Sequence, residues 1–248
     1  MTTVLKLGGS VITEKDRAET LDGAALDAAA DAVAAAVGGG ATPDLALVHG
    51  AGSFGHHYAE KHGVTVDDGT ADAGAVLEIH GSMTTLNRFV LSRLHDRDVD
   101  ALPVHPLSAG ARDADAALDL SLSSAGTMLG EGVVPVSHGD VVAHEGRGAT
   151  VVSGDEVVVE WATGLDADRV GLCSTVDGVY DASGAVIDRI DDFDAVADAL
   201  GGSDATDVTG GMAGKVRTLL DLDVPAFVFG LDDLSAFLDG EDVGTWIG

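Results

Sequence analysis

Apolar and polar positions along the chain fall into short blocks punctuated by glycine. Thr3 to Leu7 reads as a strand broken only by Lys6, and it runs into Gly8-Gly9-Ser10. Leu21 to Val37 has the alanine-rich spacing of a helix, stopped by Gly38-Gly39-Gly40. Leu45 to His49 predicts a second strand, followed by the turn Gly50-Ala51-Gly52-Ser53-Phe54-Gly55 and a short helix toward His62. Ala73 to His95 predicts a long helix. Ala101 to His105 and Val133 to Val136 predict strands with a helix at Leu118 to Leu129 between them, and Val141 to Val152 predicts a hairpin turning at Gly146 to Gly148. Beyond it come a helix at Asp155 to Leu165, a strand at Arg169 to Ser174 and a turn through Asp177-Gly178. A helix at Asp191 to Leu200 follows, then Thr209-Gly210-Gly211 leading a helix through Leu222, a strand at Ala226 to Phe229 and a short final helix. Strands alternating with helices predict a mainly parallel sheet covered on both faces. The 248 residues suit one domain, and neither an internal repeat nor a linker divides them.

Composition narrows the class. Apolar residues make up 46% of the chain, yet aromatics only 4%, which suits buried parallel strands and alanine-rich helices. No apolar run approaches the roughly 20 residues of a membrane span, so no membrane partner is expected. The first strand, with Lys6 inside it and Glu14 to Arg17 close behind, does not read as a signal peptide. The single cysteine, Cys173, has no partner for an internal disulfide and fits a reducing, cytoplasmic compartment.

Forty-two acidic residues against 13 basic ones give a formal net charge of −29. Such a surface repels a phosphate backbone, so nucleic acid is not expected as a partner. The apolar content argues against disorder and leaves adaptation to high salt, where charges are screened over a few Å. Only four lysines remain: Lys6, Lys15, Lys61 and Lys215. Three of them lie in or beside glycine-rich turns, where a cation has work to do.

Each turn has two readings. Lys6-Leu7-Gly8-Gly9-Ser10 places backbone N–H groups and a mobile cation where a strand ends, as an anion site requires; an ordinary tight turn needs the same glycines. His49 to His56 contains G-x-G-x-x-G after a strand, the dinucleotide fingerprint. The following segment is short and irregular, and no acidic residue clearly ends a second strand about 20 residues on. What remains is a glycine turn feeding a helix start, suited to any phosphate. His56 is either a solvent-facing residue at that start, like its neighbour His57, or an imidazolium donating to a phosphate oxygen. Asp155, in Ser153-Gly154-Asp155, is either a helix N-cap or a carboxylate orienting lysines or metal-bound water, and His138-Gly139-Asp140 carries the same ambiguity. Thr209 to Lys215 nearly matches a Walker A loop. Thr209 replaces its first glycine and Val216 its Ser or Thr, which disfavours a P-loop enzyme but leaves Lys215 one turn into a helix that starts at a phosphate-compatible turn.

In this order the segments resemble the amino acid kinase superfamily over nearly the whole chain, from Lys6-Leu7-Gly8-Gly9-Ser10 through Ser153-Gly154-Asp155 and Val176-Asp177-Gly178-Val179 to Thr209-Gly210-Gly211-Met212 and Lys215. Gly52-Ser53-Phe54-Gly55-His56 resembles the archaeal isopentenyl phosphate kinases in particular, where a histidine at this point contacts the acceptor phosphate. The resemblance implies a three-layer αβα sandwich with a mainly parallel open sheet, ATP and Mg²⁺, and a homodimer. It also implies an acceptor-binding half at about residues 1–150 and a nucleotide-binding half at about 151–248. With the acidic surface it points to a halophilic archaeon, and it implies formation of isopentenyl diphosphate for isoprene biosynthesis in a mevalonate pathway.

The roles it implies can be matched to charge. Lys6 and Lys215 serve the β- and γ-phosphates, and Lys15 steadies the transferred phosphoryl group. Gly8, Gly9, Ser10 and Gly52 cradle ATP, joined by Gly210 and Gly211 and by Thr175, which stands with Ser174 where the family often has Thr-Asp. Ala51, His56 and Gly154 hold the acceptor phosphate, and Asp155 orients the lysines; no residue is assigned as a metal ligand. Val76, Ile79 and Met83 are either an apolar slot for the isoprenoid tail or plain helix core. A carboxylate acceptor, as in glutamate or acetylglutamate kinases, a nucleotide acceptor, as in UMP kinase, and a non-catalytic sensor are the alternatives on the same fold.

Overall fold

A computed structural model describes residues 1–42, 44–200 and 211–248. Its strands are β1 (Thr2–Leu7), β2 (Asp44–His49), β3 (Ala101–Pro103), β4 (Gly110–Arg112), β5 (Leu118–Leu120), β6 (Val134–His138), β7 (Asp140–His144), β8 (Gly148–Val152), β9 (Arg169–Ser174), β10 (Arg189–Ile190), β11 (Ala226–Gly230) and β12 (Thr245–Ile247). Its helices are α1 (Gly9–Ile12), α2 (Gly23–Gly39), α3 (Gly52–His62), α4 (Ala73–His95), α5 (Pro106–Ala109), α6 (Ser123–Gly130), α7 (Gly154–Gly164), α8 (Ala197–Leu200), α9 (Gly211–Leu220) and α10 (Leu234–Leu238).

Among the described residues an eight-stranded sheet runs in the order β10-β12-β11-β9-β1-β2-β6-β3. Every pairing in it is parallel except that of β11 with β12. Alternation along β1 sorts the two faces. Leu5 and Leu7 pack toward α2, α4 and α10, whereas Val4 packs on the opposite face with α7 and α9. The result is a three-layer αβα sandwich whose central strands are buried on both sides, which is why they carry aliphatic residues almost without interruption.

Local signals fix the helix ends. Asp22 caps α2 by accepting from Ala25 N, and Gly40 closes it in the left-handed region at φ 72°. Asp72 caps α4 through Gly74 N and Ala75 N.

A second sheet of four strands, β5-β4-β7-β8, lies beside the main one. The predicted hairpin supplies β7 and β8, while β4 and β5 depart from expectation. Leu118 to Leu120 is a strand, not the start of a helix: Asp119 is exposed between two inward leucines, and α6 begins only at Ser123. Asp191 to Leu200 is helical only at Ala197–Leu200. Its acidic start forms side-chain turns instead, with Asp192 accepting from Asp194 N at 3.0 Å and Arg189 bonded to Asp191. The antiparallel β12 was not expected; three residues carry no readable period. The predicted turn at Thr209-Gly210 lies outside the described residues.

Candidate active site

A cavity of about 540 Å³ opens at the carboxyl ends of β1, β2, β6 and β9, the place where open α/β sheets bind ligands. Residues from both halves of the chain line it. Lys6, Gly8, Gly9, Ser10 and Lys15 come from the first turn and its sequel, and Ala51, Gly52 and His56 from the second. Gly154, Asp155, Thr175 and Lys215 come from the second half.

The first two turns interlock. Leu7 is paired with His49, so Gly9 and Gly50-Ala51-Gly52 leave adjacent strands side by side. A Cβ on Gly9 would fall on the backbone of Gly52, and one on Gly50 would stand 2.5 Å from Gly9 N. Gly52 itself is left-handed at φ 51°. Thr13 Oγ1 stitches the pair, donating to Gly9 O at 2.8 Å and accepting from Ser53 N at 3.0 Å. Gly55, the last glycine of G-x-G-x-x-G, lets Met83 of α4 pack against α3, since a Cβ there would lie 2.5 Å from Met83 Sδ. All three glycines of the dinucleotide fingerprint are thus explained by packing within this fold.

One expected donor is committed elsewhere. The N–H of Gly8 is given to Cys173 O at 2.9 Å, so Gly8 lines the cavity without offering its N–H to a phosphate. The donors that remain for a cradle belong to the first turns of α1 and α3, where a helix has no internal acceptor for its leading N–H groups.

Asp155 joins the lysines. Its Oδ1 accepts from Lys6 Nζ at 2.7 Å and its Oδ2 stands 3.9 Å from Lys215 Nζ. Lys6 is nearly buried on β1, and Lys215 sits one turn into α9. The helix cap is not Asp155 but Ser153, which accepts from Glu156 N at 3.1 Å while Glu156 accepts from Ser153 N at 2.8 Å, a complete capping box. Asp155 is therefore released to face the cavity. Gly154 packs closely against the Lys6 side chain and His49 O, where a Cβ would stand 3.2 and 3.3 Å away. The fourth lysine, Lys61, pairs with Glu78 on the surface.

His56 lies in the second turn of α3, exposed and on the cavity wall. Ile79 and Met83 of α4 also line the cavity, whereas Val76 packs in a small cluster with Val64, Ile79 and Val141. Of the remaining expected residues, Gly211 opens α9 and Gly210 lies outside the described residues.

Sequence reasoning missed the polar layer beneath these turns. His49 and His138, paired across β2 and β6, stack with ring centroids 5.3 Å apart. Each directs Nδ1 to the carbonyl of the following glycine, Gly50 at 3.0 Å and Gly139 at 2.8 Å. Asn87 Nδ2 lies 3.1 Å from His49 Nε2, and His105 Nδ1 lies 2.9 Å from His138 Nε2. These partners assign both rings as neutral Nδ1–H tautomers. Burial, reinforced by His138, pushes the His49 pKa down to about 3, and burial also lowers His138 and His105. His80 moves the other way, raised by its 2.8 Å hydrogen bond to the buried Asp140. A histidine at each of two strand ends, both followed by glycine, was the visible signal.

The chemical inventory is three lysines, a histidine and two interlocked glycine turns around one cavity, which suits polyanions. Among the described residues no group of three or more His, Cys, Asp or Glu is placed to hold a metal. That donor set fits a cation such as Mg²⁺ only as one carried in on phosphate oxygens and waters. Among the described residues no helix is long and apolar enough to cross a membrane.

Comparison with known proteins agrees with this inventory. The model of the amino acid kinase family matches residues 1–222. A curated isopentenyl phosphate kinase from Haloferax volcanii is 61% identical over 244 residues, covering 98% of this chain and 97% of that protein. One from Methanocaldococcus jannaschii is 31% identical, covering 100% of this chain and 98% of its own length. An X-ray structure of isopentenyl phosphate kinase superposes with a TM-score of 0.85 at 28% identity, covering 100% of both chains. A UMP kinase from Bacillus anthracis shares the fold at a TM-score of 0.67 and 18% identity, covering 100% of this chain and 95% of that one. With its phosphate-compatible turns set at the ends of parallel strands and the family model spanning them, this chain belongs to the amino acid kinase family.

Proposed function

We propose that this chain is an ATP-dependent kinase that phosphorylates isopentenyl phosphate to isopentenyl diphosphate. The observation that carries the reading is the bridge from Lys6 through Asp155 to Lys215 in the same cavity as His56. The 61% identity to the Haloferax volcanii enzyme covers 98% of this chain.

The chemistry follows from charge. An alkyl monophosphate has a second pKa of about 6 and is a dianion near neutral pH, so its oxygen is already a nucleophile and no strong general base is needed. That oxygen attacks the γ-phosphorus of ATP, the bond from γ-phosphorus to the bridging oxygen breaks, and ADP leaves with the electron pair. The obstacle is bringing two polyanions together, so catalysis is positioning and neutralisation. Lys6 and Lys215, held by Asp155, would stand against the β- and γ-phosphates, with Lys15 over the group in flight. Gly9, Ser10 and Gly52 would cradle the nucleotide phosphates. Thr175, Gly210 and Gly211 would meet the rest of the nucleotide, which lies mainly against the second half of the chain. Ala51, His56 and Gly154 would hold the acceptor phosphate, with Ile79 and Met83 beside its tail. Mg²⁺, bound to the nucleotide, supplies further neutralisation of phosphate charge.

The proposal includes a homodimer, a cytoplasmic location, a place in isoprene biosynthesis and a surface adapted to high salt. The homodimer is checked by light scattering in concentrated KCl. The function is tested by measuring ADP release and the phosphorylated product with isopentenyl phosphate, UMP, glutamate and acetylglutamate offered in turn. Turnover of isopentenyl phosphate well above the others is expected; preference for UMP or a carboxylate would overturn the acceptor, and turnover of none would favour a sensor.

A further inference from the structure

The segment that carries Lys15 is a strap. It leaves α1 at Thr13 and returns at Leu21, closed at its base by a bridge between those residues and by Glu14 N donating to Thr20 O at 2.9 Å. Lys15, Asp16 and Ala18 on this strap line the cavity. Its return limb is fastened to the start of α3: Glu19 N donates to Ser53 O at 3.1 Å, and Thr20 N lies 3.3 Å from Ser53 Oγ. Glu19 then reaches α4, where its Oε1 accepts from Ser82 Oγ at 3.3 Å. It also faces α3 at Tyr58, whose phenol pKa is raised chiefly by the Glu19 carboxylate.

Glu19 holds this place in an unfavourable backbone conformation, left-handed at φ 49°. Glycine fits that region without strain, whereas a long side chain there is disfavoured. A strained residue whose carboxylate makes the only described links from the strap to Ser82 and Tyr58 points to that carboxylate as its reason.

We propose that Glu19 is a positioning residue, latching the strap to the acceptor-side helices α3 and α4 so that Lys15 is held over the phosphoryl group being transferred. Because Ser82 is adjacent to Met83 and Tyr58 to Ala59, both on the cavity wall, the latch ties the placement of Lys15 to the helices that enclose the acceptor. This rests on the reading of Lys15 given above.

The test is a double-mutant cycle on the full chain, with Glu19→Ala, Lys15→Ala and both together, assayed for kcat and for both KM values. Glu19 is exposed, so the fold is expected to survive, and thermal melting checks that. Glu19→Ala alone is expected to lower kcat roughly tenfold, as a displaced catalytic group does, with KM for ATP changed less than about twofold. In the Lys15→Ala background the same change is expected to have almost no effect, and Glu19→Gln, which keeps the acceptor oxygen, should restore most of the loss. Equal losses in both backgrounds, or no loss from Glu19→Ala while Lys15→Ala is impaired, would overturn the latch and leave the Lys15 reading standing. Unchanged turnover in Lys15→Ala alone would overturn that reading and the latch with it.

Discussion

Lys6 and Asp155 lie 149 residues apart in the chain and meet in a 2.7 Å ion pair at the floor of the cavity. The pair joins the first strand to the start of α7 and, through the second carboxylate oxygen, extends to Lys215 at 3.9 Å. The shared carboxylate sets the two ammonium groups beside each other in the cavity. Asp155→Asn keeps the size of the side chain and removes the charge, so it isolates orientation from packing. It is expected to lower kcat about 10²- to 10³-fold, in the range of losing one electrostatic transition-state contact, with a much smaller change in KM for ATP. Steady-state kinetics with isopentenyl phosphate check this.

His56 lines the same cavity, one turn into α3. A hydrogen bond to a charged group contributes about 1.5–3 kcal/mol, so His56→Ala is expected to raise the KM for isopentenyl phosphate roughly 10- to 100-fold. The KM for ATP should stay nearly constant, because the nucleotide is assigned to other residues. Parallel titrations of the two substrates measure the split, and unaltered kinetics for isopentenyl phosphate would remove His56 from the acceptor site.

The glycines of the two turns make a sharper structural prediction. A Cβ on Gly9 would meet the backbone of Gly52, with Gly50 C only 3.0 Å away, and backbone cannot rotate aside as a side chain can. Gly9→Ala is therefore expected to destabilise the protein by about 1–3 kcal/mol as an overpacked site and to abolish measurable turnover. Gly23→Ala is the control, since a Cβ there meets nothing within 4 Å. Thermal melts and assays of the two variants side by side check the contrast.

What the sequence made legible depended on range. The helix Ala73–His95 and the strand Arg169–Ser174 were readable to the residue, because a capping Asp72 and a continuous aliphatic run are local signals. The order of turns and lysines pointed to the family and to the lysines and glycines on the cavity wall, but not to wall residues such as Asp16, Glu60 and Val151. Of the three-residue strands, β3 lay inside a predicted one, but β4, β5 and β12 were not readable, since their identity comes from the partner they pair with. Nor was the reason for the glycines: that Gly9 must clear Gly52 follows only once β1 and β2 are neighbours in register. Ser53 and Glu19 escaped for the same cause, their partners lying 33 and 63 residues away.

The histidines beneath the turns make stability depend on pH in two opposed ways. His49 has a folded pKa of about 3 against 6.5 when unfolded, so between those values the unfolded chain binds the extra proton and stability falls as pH falls. That slope is about 1.4 kcal/mol per pH unit for one fully buried group. His80, raised by its bond to Asp140, contributes the other way: its stabilisation is complete below the unfolded pKa and is lost as pH rises through the folded one. The carboxylates add their own acid dependence, so the informative quantity is the difference between variants. His49→Asn is expected to lower stability overall while flattening the decline in Tm between pH 6.5 and the acid limit of folding. His80→Asn should leave that decline in place and reduce the loss seen above pH 6.5. If His49→Asn kept the full acid slope, the assignment of His49 as the buried neutral ring supporting Gly50 would be wrong.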